Sequence, residues 1–284
     1  MTDHPQSLDD AQTTATDDEQ PLQQGRYLYC VVDTTASDTE TLSTTGIAQN
    51  PVYIIETDRI GAVVHNCETV HDVDDADQLK QWVVTHQQVV DVASDVFGPP
   101  LPMRFNTVLE GGNASVEDWL VTHYESIHDE LQSFAGMWEY RITLLWDSSP
   151  FEDRITEQDD HLQELQQRQQ QAGAGKRFLL EKQYEKRIQE LKQNQRTDLA
   201  EQLAETITPV VNDLAEQESR PTLFDDTHSS TEREQILRVA VLADKDREVA
   251  LGNRLDTIVE PDGVEIRFTG PWPPYTFAPD IGAE

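Results

Sequence analysis

The sequence predicts an α+β protein of two domains, and three observations predict it. Apolar residues alternate at period two over residues 137–146, 234–242 and 264–269, the pattern of β-strands. Between those stretches the period changes to three and four, over 151–217 and again over 245–258, which marks helices. A separate strand–hairpin–helix–strand–helix series precedes them over residues 25–136. With a weak extra strand at 222–224, the second series reads β-α-β-β-α-β, the ferredoxin-like order. The expected division is a disordered acidic arm over 1–24, an N-terminal α+β domain over 25–136, and a C-terminal ferredoxin-like domain over 137–284.

Residues 1–24 carry six acids and no Lys or Arg, with Leu8 and Leu22 as the only large aliphatics, too little to offset ordering entropy. Residues 26–32 form a short apolar strand, and 52–56 and 60–65 a hairpin around Thr57-Asp58-Arg59. From Asp75 to Phe97 one helical stripe holds Leu79, Trp82, Val83, His86, Val89, Val90, Ala93, Val96 and Phe97. Gly98-Pro99-Pro100 ends it. Residues 101–109 are a strand candidate. Asn113 or Ser115 is placed to cap a helix whose apolar side runs from Val116 to Phe134. This predicts helices on one face of a mainly antiparallel sheet.

In the second domain, Gly173 and Gly175 predict a kink or break in the long helical region. The polar run Lys192 to Asp198 argues against a sustained coiled coil. Residues 234–242 read as a central strand with both faces covered. In the terminal strand Val264, Ile266 and Phe268 share one face, and Gly270 is expected to break it. Pro271, Pro273 and Pro274 forbid helix and central-strand pairing, yet this run carries Trp272, Tyr275 and Phe277. Prolines pre-set an extended conformation, so these rings are displayed at little entropic cost. Two readings stay open: the tail caps its own domain's core, or it docks a partner.

The chain has 284 residues and a formal charge of −33, from 54 acidic against 21 basic side chains. Such acidity argues against duplex DNA or an anionic membrane as partner and suits strong brine, where salt screens self-repulsion. Five Trp, seven Tyr and eight Phe argue for a folded chain rather than a disordered acidic one. Cys30 and Cys67 stand in strand-like stretches without a metal-ligand pattern, so neither zinc nor a disulfide framework is expected. With no membrane span and no signal peptide in view, the expected address is the cytoplasm.

Candidate chemistry is sparse. Ala172-Gly-Ala-Gly-Lys176 lacks the first glycine, the final Ser or Thr and the preceding strand of a phosphate loop. Asp72, Asp74, Asp75 and Asp77 fail a calcium-loop register, which would put Asp77 at the glycine position, and read instead as an acidic helix start. No nucleophile–base pair, metal site or cofactor site is nominated, and no enzyme is expected. The charge anomaly is residues 176–196: Lys176, Arg177, Lys182, Lys186, Arg187, Lys192 and Arg196 against Glu181, Glu185 and Glu190. These cations either offset the molecule's own acids through helix pairs or present a basic face to an acidic partner.

Three stretches carry a family resemblance: Tyr27-Leu-Tyr-Cys-Val-Val32, residues 101–109, and Thr269-Gly-Pro-Trp-Pro-Pro-Tyr-Thr-Phe277. Together with Thr85-His-Gln-Gln-Val-Val-Asp91 they resemble the gas vesicle protein F/L family. The long helical insert looks more like the L member than the shorter F member. Cys30 and Asn106 stand where the family pattern has glycine; both are small, and Asn tolerates left-handed backbone angles. The resemblance implies a two-domain α+β fold, no catalysis and no cofactor. It also implies an accessory or minor structural role in gas vesicle assembly, in the cytoplasm and at the vesicle. The implied partners are the major shell protein and other accessory proteins, with no nucleic acid and no membrane. Trp272, Tyr275 and Phe277 with the face of Lys176, Arg177, Lys182, Lys186 and Arg187 are the expected partner surfaces. Arg104 matches the motif in the 101–109 stretch and reads as structural as readily as binding. The runner-up function is a general acidic scaffold or holdase.

Overall fold

Every residue from Tyr27 to Val32 is fully buried, and that double-sided burial organises the first half of the molecule. The structure, a computed structural model, describes residues 24–36, 42–68, 75–217, 233–259, 261, 263–279 and 281. The expected acidic arm, Asp72, Asp74 and the 222–224 strand lie outside the described residues, apart from Gln24. Strand β1 (Gly25–Asp33) pairs antiparallel with β3 (Ile60–Cys67), which forms the expected hairpin with β2 (Tyr53–Thr57). A bulge between Leu28 and Cys30 re-aims the side chains. Tyr27, Tyr29, Cys30 and Val32 consequently join the cluster under helix α1 (Ala76–Phe97). Leu28 and Val31 join the opposite cluster, with Val116, Leu120, Ile127 and Leu131. Helices therefore cover both faces of this sheet, where one had been expected, because β1 is apolar in both directions.

Asp75 caps α1 by accepting from the Asp77 and Gln78 backbone N–H groups. The 101–109 stretch forms no continuous strand. It gives β4 (Leu101–Pro102) and β5 (Val108–Leu109), both on β1, with a turn between them in which Asn106 sits at φ 70°. Asn tolerates that left-handed angle better than most residues. The following helix is split into α2 (Gly112–Thr122) and α3 (Tyr124–Ser133) at His123. Its cap is Gly111 in the left-handed region, not Asn113 or Ser115. Asn113 Oδ1 instead accepts from Arg26 Nε at 2.6 Å and from the Tyr53 hydroxyl at 2.9 Å.

The second half is built on β6 (Met137–Trp146), which lies between β8 (Glu234–Asp244) and β9 (Val264–Trp272). With β7 (Asp213–Glu216) outermost, the order is β7-β8-β6-β9, all antiparallel. One face of β6, formed by Tyr140, Ile142, Leu144 and Trp146, is covered by α4 (Ser149–Gln158), α6 (Ala174–Ile207) and α7 (Glu248–Asp256). Helix α5 (Asp160–Gln170) turns back onto α6, and Gly173 marks the break. The helical region ends at Ile207, not near Gln217: a turn at Thr208–Val210 follows, and Pro209 lacks the N–H that a continuing helix needs. Among the described residues the strand preceding β8 is at 213–216.

Strand β9 does not break at Gly270 but runs on to Trp272. It is an edge strand, so Pro271 removes no ladder bond on its open side. Gly270 falls at the irregularity between Glu139 and Arg141, at φ 136°. A Cβ there would lie 2.8 Å from Tyr140 Cδ1 and 2.9 Å from the Glu139 carbonyl oxygen. Gly270→Ala is expected to lower unfolding stability by about 2 kcal/mol, from backbone strain and overpacking together. Denaturant titration in molar potassium chloride measures it; an unchanged midpoint would show that the strand relaxes freely there.

Candidate partner-binding surfaces

The proline–aromatic tail is held by a carboxylate. Glu139, fully buried on β6, accepts the Thr276 backbone N–H at 2.6 Å and the Thr276 hydroxyl at 3.0 Å. Arg141 Nε donates to the same carboxylate at 2.9 Å. Burying a carboxylate costs several kcal/mol unless it is paired and bonded, and these three donors meet that demand. The Thr276 hydroxyl in turn accepts from Gln217 Nε2 at 3.0 Å. The Arg141 guanidinium carbon stands 5.9 Å from the Trp272 ring centre, a cation–π pair at the end of β9. Beyond it Phe277 and Ala278 donate their N–H groups to the Pro274 carbonyl, which turns the chain.

The tail does not finish its own sheet's core. Tyr275 packs with the α1-side cluster of Tyr27, Cys30 and Phe97. Phe277 and Ala278 pack with the opposite cluster of Leu28, Val116 and Ile127. All three expected aromatics, Trp272, Tyr275 and Phe277, are half-buried. A chain ending at Gly270 therefore loses contacts on both layers of the first half. Inspection of the aromatics alone missed Thr276, Glu139 and Arg141. The signal was present: an acid and a base two residues apart, on one face of an otherwise apolar strand.

Under the tail lies a polar network inside the core. The Tyr27 hydroxyl accepts from the Asn106 N–H at 2.9 Å and donates to His86 Nδ1 at 2.8 Å. His86 Nε2–H then donates to the Met103 carbonyl at 3.2 Å, which fixes the neutral tautomer. The rings of Tyr29 and Phe105 surround the imidazole. Burial pulls His86 from its usual 6.5 down to about 4, with the Met103 bond opposing.

The basic face lies elsewhere. Trp272 and Thr276 meet Glu139 and Arg141 on the face of β6 opposite the one that α6 covers, so the structure does not bring the two expected surfaces together. Lys176, Arg177, Lys182 and Lys186 are exposed on α6, and Arg187 is half-buried. Three of them are matched within the chain: Lys182 to Glu185 at 2.6 Å, Lys186 to Glu190 at 3.7 Å, and Arg187 to Asp159 at 2.9 Å. The Arg187 hydrogen bond, ahead of other influences, holds the Asp159 carboxyl below its usual range. Asp159 also caps α5, so Arg187 fastens the α5–α6 hairpin. Lys176 and Arg177 make no ion pair among the described residues. Beside them Phe178 and Leu179 are 58% and 62% exposed, an apolar pair that the charge count overlooked. Arg104 is exposed in the turn between β4 and β5, where its carbonyl accepts the Thr107 hydroxyl at 2.8 Å.

Residues 25–279 match the model of a family described as gas vesicle synthesis protein GvpL/GvpF. The chain is 67% identical over 282 residues to gas vesicle protein L1 of Halobacterium salinarum, covering 99% of this chain and 100% of that protein. It is 52% identical to gas vesicle protein L of Haloferax mediterranei, over 95% of this chain and 94% of that protein. In three dimensions it resembles the crystal structure of gas vesicle protein GvpF from Anabaena, with a TM-score of 0.68 at 20% identity, over 90% of this chain and 99% of that one. The GvpF structure from Microcystis aeruginosa gives 0.62 at 17% identity, over 90% of this chain and 100% of that one.

The unfolded chain protonates its histidine at higher pH than the fold does, so neutral His86 contributes stability that is full above pH 6.5. That contribution is lost as pH falls toward about 4 and amounts to about 3 kcal/mol. His86→Asn keeps a carbonyl to accept from Tyr27 but does not titrate. Denaturant titrations across that window are expected to show a smaller loss for the variant than for the parent chain. Equal pH slopes would assign the acid sensitivity to other groups.

Proposed function

The chain belongs to the gas vesicle synthesis protein GvpL/GvpF family, and from that premise we propose that it serves gas vesicle formation as a non-enzymatic accessory or minor structural protein. It binds the major shell protein and other accessory proteins, in the cytoplasm and at the growing vesicle. The observation that carries the reading is the family match across residues 25–279, which leaves little of the chain for any other activity. A shell protein that faces gas is very apolar before assembly, and an acidic, salt-tolerant partner suits holding it in solution.

The tail residues Trp272, Tyr275 and Phe277 and the basic face of Lys176, Arg177, Lys182, Lys186 and Arg187 are the two candidate contacts, and Arg104 is a further candidate residue. Of these, the start of α6 is favoured by its unpaired cations beside exposed Phe178 and Leu179. The element order supports the two-domain division at 136/137. The order β6, helices, β7, β8, α7, β9, with β6 and β8 central, fits a ferredoxin-like second domain.

The test is retention of the full chain on immobilised shell protein in molar potassium chloride. Reversing Lys176, Arg177 and Lys182 to Glu together is expected to cut retention about tenfold with the fold intact by circular dichroism. Trp272→Ala, at the rim of the tail, is expected to cut it less. Loss with Trp272→Ala alone would move the principal contact to the tail. No retention of the parent chain would remove shell-protein binding from the proposal.

A further inference from the structure

The two edges of the second sheet are unlike. The outer strand β7 has four residues with an exposed acid at each end, Asp213 and Glu216, the short and charged kind of edge that resists pairing. At the other edge β9 has nine residues, and among the described residues no strand pairs with its open side. The backbone donors and acceptors on that side form a template for a further strand. Side chains alternate cleanly from 264 to 268. Val264, Ile266 and Phe268 turn toward the helix-covered core, where Ile266 and Phe268 are only half-buried at the rim. On the opposite face stand Glu265 and Arg267, one charge of each sign, paired with each other at 3.1 Å. Arg233, just before β8, pairs with Glu265 as well.

We propose that β9 pairs antiparallel with β9 of a second copy of this chain, about a two-fold axis at Ile266, which joins the two four-stranded sheets into one. The strand's own sequence selects that register. Centred on Ile266, the pairing puts Val264 opposite the partner's Phe268 and Ile266 opposite the partner's Ile266, so the apolar row runs unbroken from one core to the next. On the other face Glu265 stands opposite the partner's Arg267, twice by symmetry. Shifting the pairing by one residue puts the partner's apolar side chains on the charged face. Shifting it by two puts Glu265 opposite the partner's Glu265, or Arg267 opposite the partner's Arg267. Pro261 and Pro271, which cannot donate, fall opposite each other beyond both ends of the paired stretch. The contact is isologous and closes at two copies, so it does not run on into fibres. The formal charge of −33 opposes association in dilute salt, and molar salt screens that repulsion beyond about 3 Å. The proposal concerns the chain alone and stands independently of any role with the shell protein.

The test is sedimentation velocity of the full chain in molar potassium chloride, over a micromolar concentration series. The parent chain is expected to form dimers. Arg267→Glu alone and Glu265→Arg alone each set like charges opposite one another at both symmetric positions. Each is expected to weaken the dimer by about tenfold or more, with an unchanged circular dichroism spectrum. Mixed in equal amounts, the two variants regain opposite charges at both positions and are expected to dimerise with each other comparably to the parent. The chain carrying both substitutions is expected to dimerise with itself for the same reason. A purely structural role for Glu265 and Arg267 would not produce that rescue in the mixture. A parent chain that stays monomeric through the series overturns the proposal and leaves the edge to a strand of another protein. Single variants that dimerise as the parent does, or a mixture that stays monomeric where the parent dimerises, overturn it equally.

Discussion

The carboxylate of Glu139 is the constraint on which the rest of the architecture depends. It sits in the middle of an apolar strand with no exposed surface, so it must be paired or it would destabilise the fold by several kcal/mol. Its partners come from two places: Arg141 on the same strand and Thr276 on the tail. Satisfying one buried charge therefore fixes where the last residues go. Once Thr276 is placed, Tyr275 and Phe277 fall against the two cores of the first half. The edge strand, the proline-rich turn and the join between the halves follow from a single acid.

The same constraint separates inside from outside in this very acidic chain. Acids at the surface need only water and salt. The described ion pairs on α6 are exposed and individually weak. Arg187 with Asp159 matters more for geometry than for energy, since it joins the hairpin at a helix cap. Charge in this protein thus does two separate kinds of work. Dispersed acidity meets water and salt at the surface, and one interior acid with its neighbours helps set the shape.

Much of the fold was legible because periodicity survives where burial is regular. The long strands β1, β3, β6, β8 and the helix α1 were placed within a residue or two, since each repeats its pattern over two or more turns or pleats. The misreadings have local physical causes. Residues 101–109 look like a strand by composition, but the left-handed angle at Asn106 divides them. Gly270 and Pro271 look like a strand's end, and on an edge they are not. Helices on both faces of the first sheet followed from apolar residues on both sides of β1, sorted between the two layers by a bulge at Leu28–Cys30 that no hydrophobic pattern announces. Of the surfaces, the aromatic tail and the basic run were visible as composition. The pairing of Glu139 with Thr276 was not, because a long-range hydrogen bond between residues 137 positions apart leaves no periodic trace.

The route of the tail also has a consequence in time. Strand β1 leaves the ribosome about 250 residues ahead of Thr276 to Ala278. At about 5 to 20 residues per second, on the order of 10 to 50 seconds separate the two. Through that interval the two cores of the first half stand without the residues that close them. The first half is therefore completed by residues that follow it by about 250 positions, and its maturation waits on them.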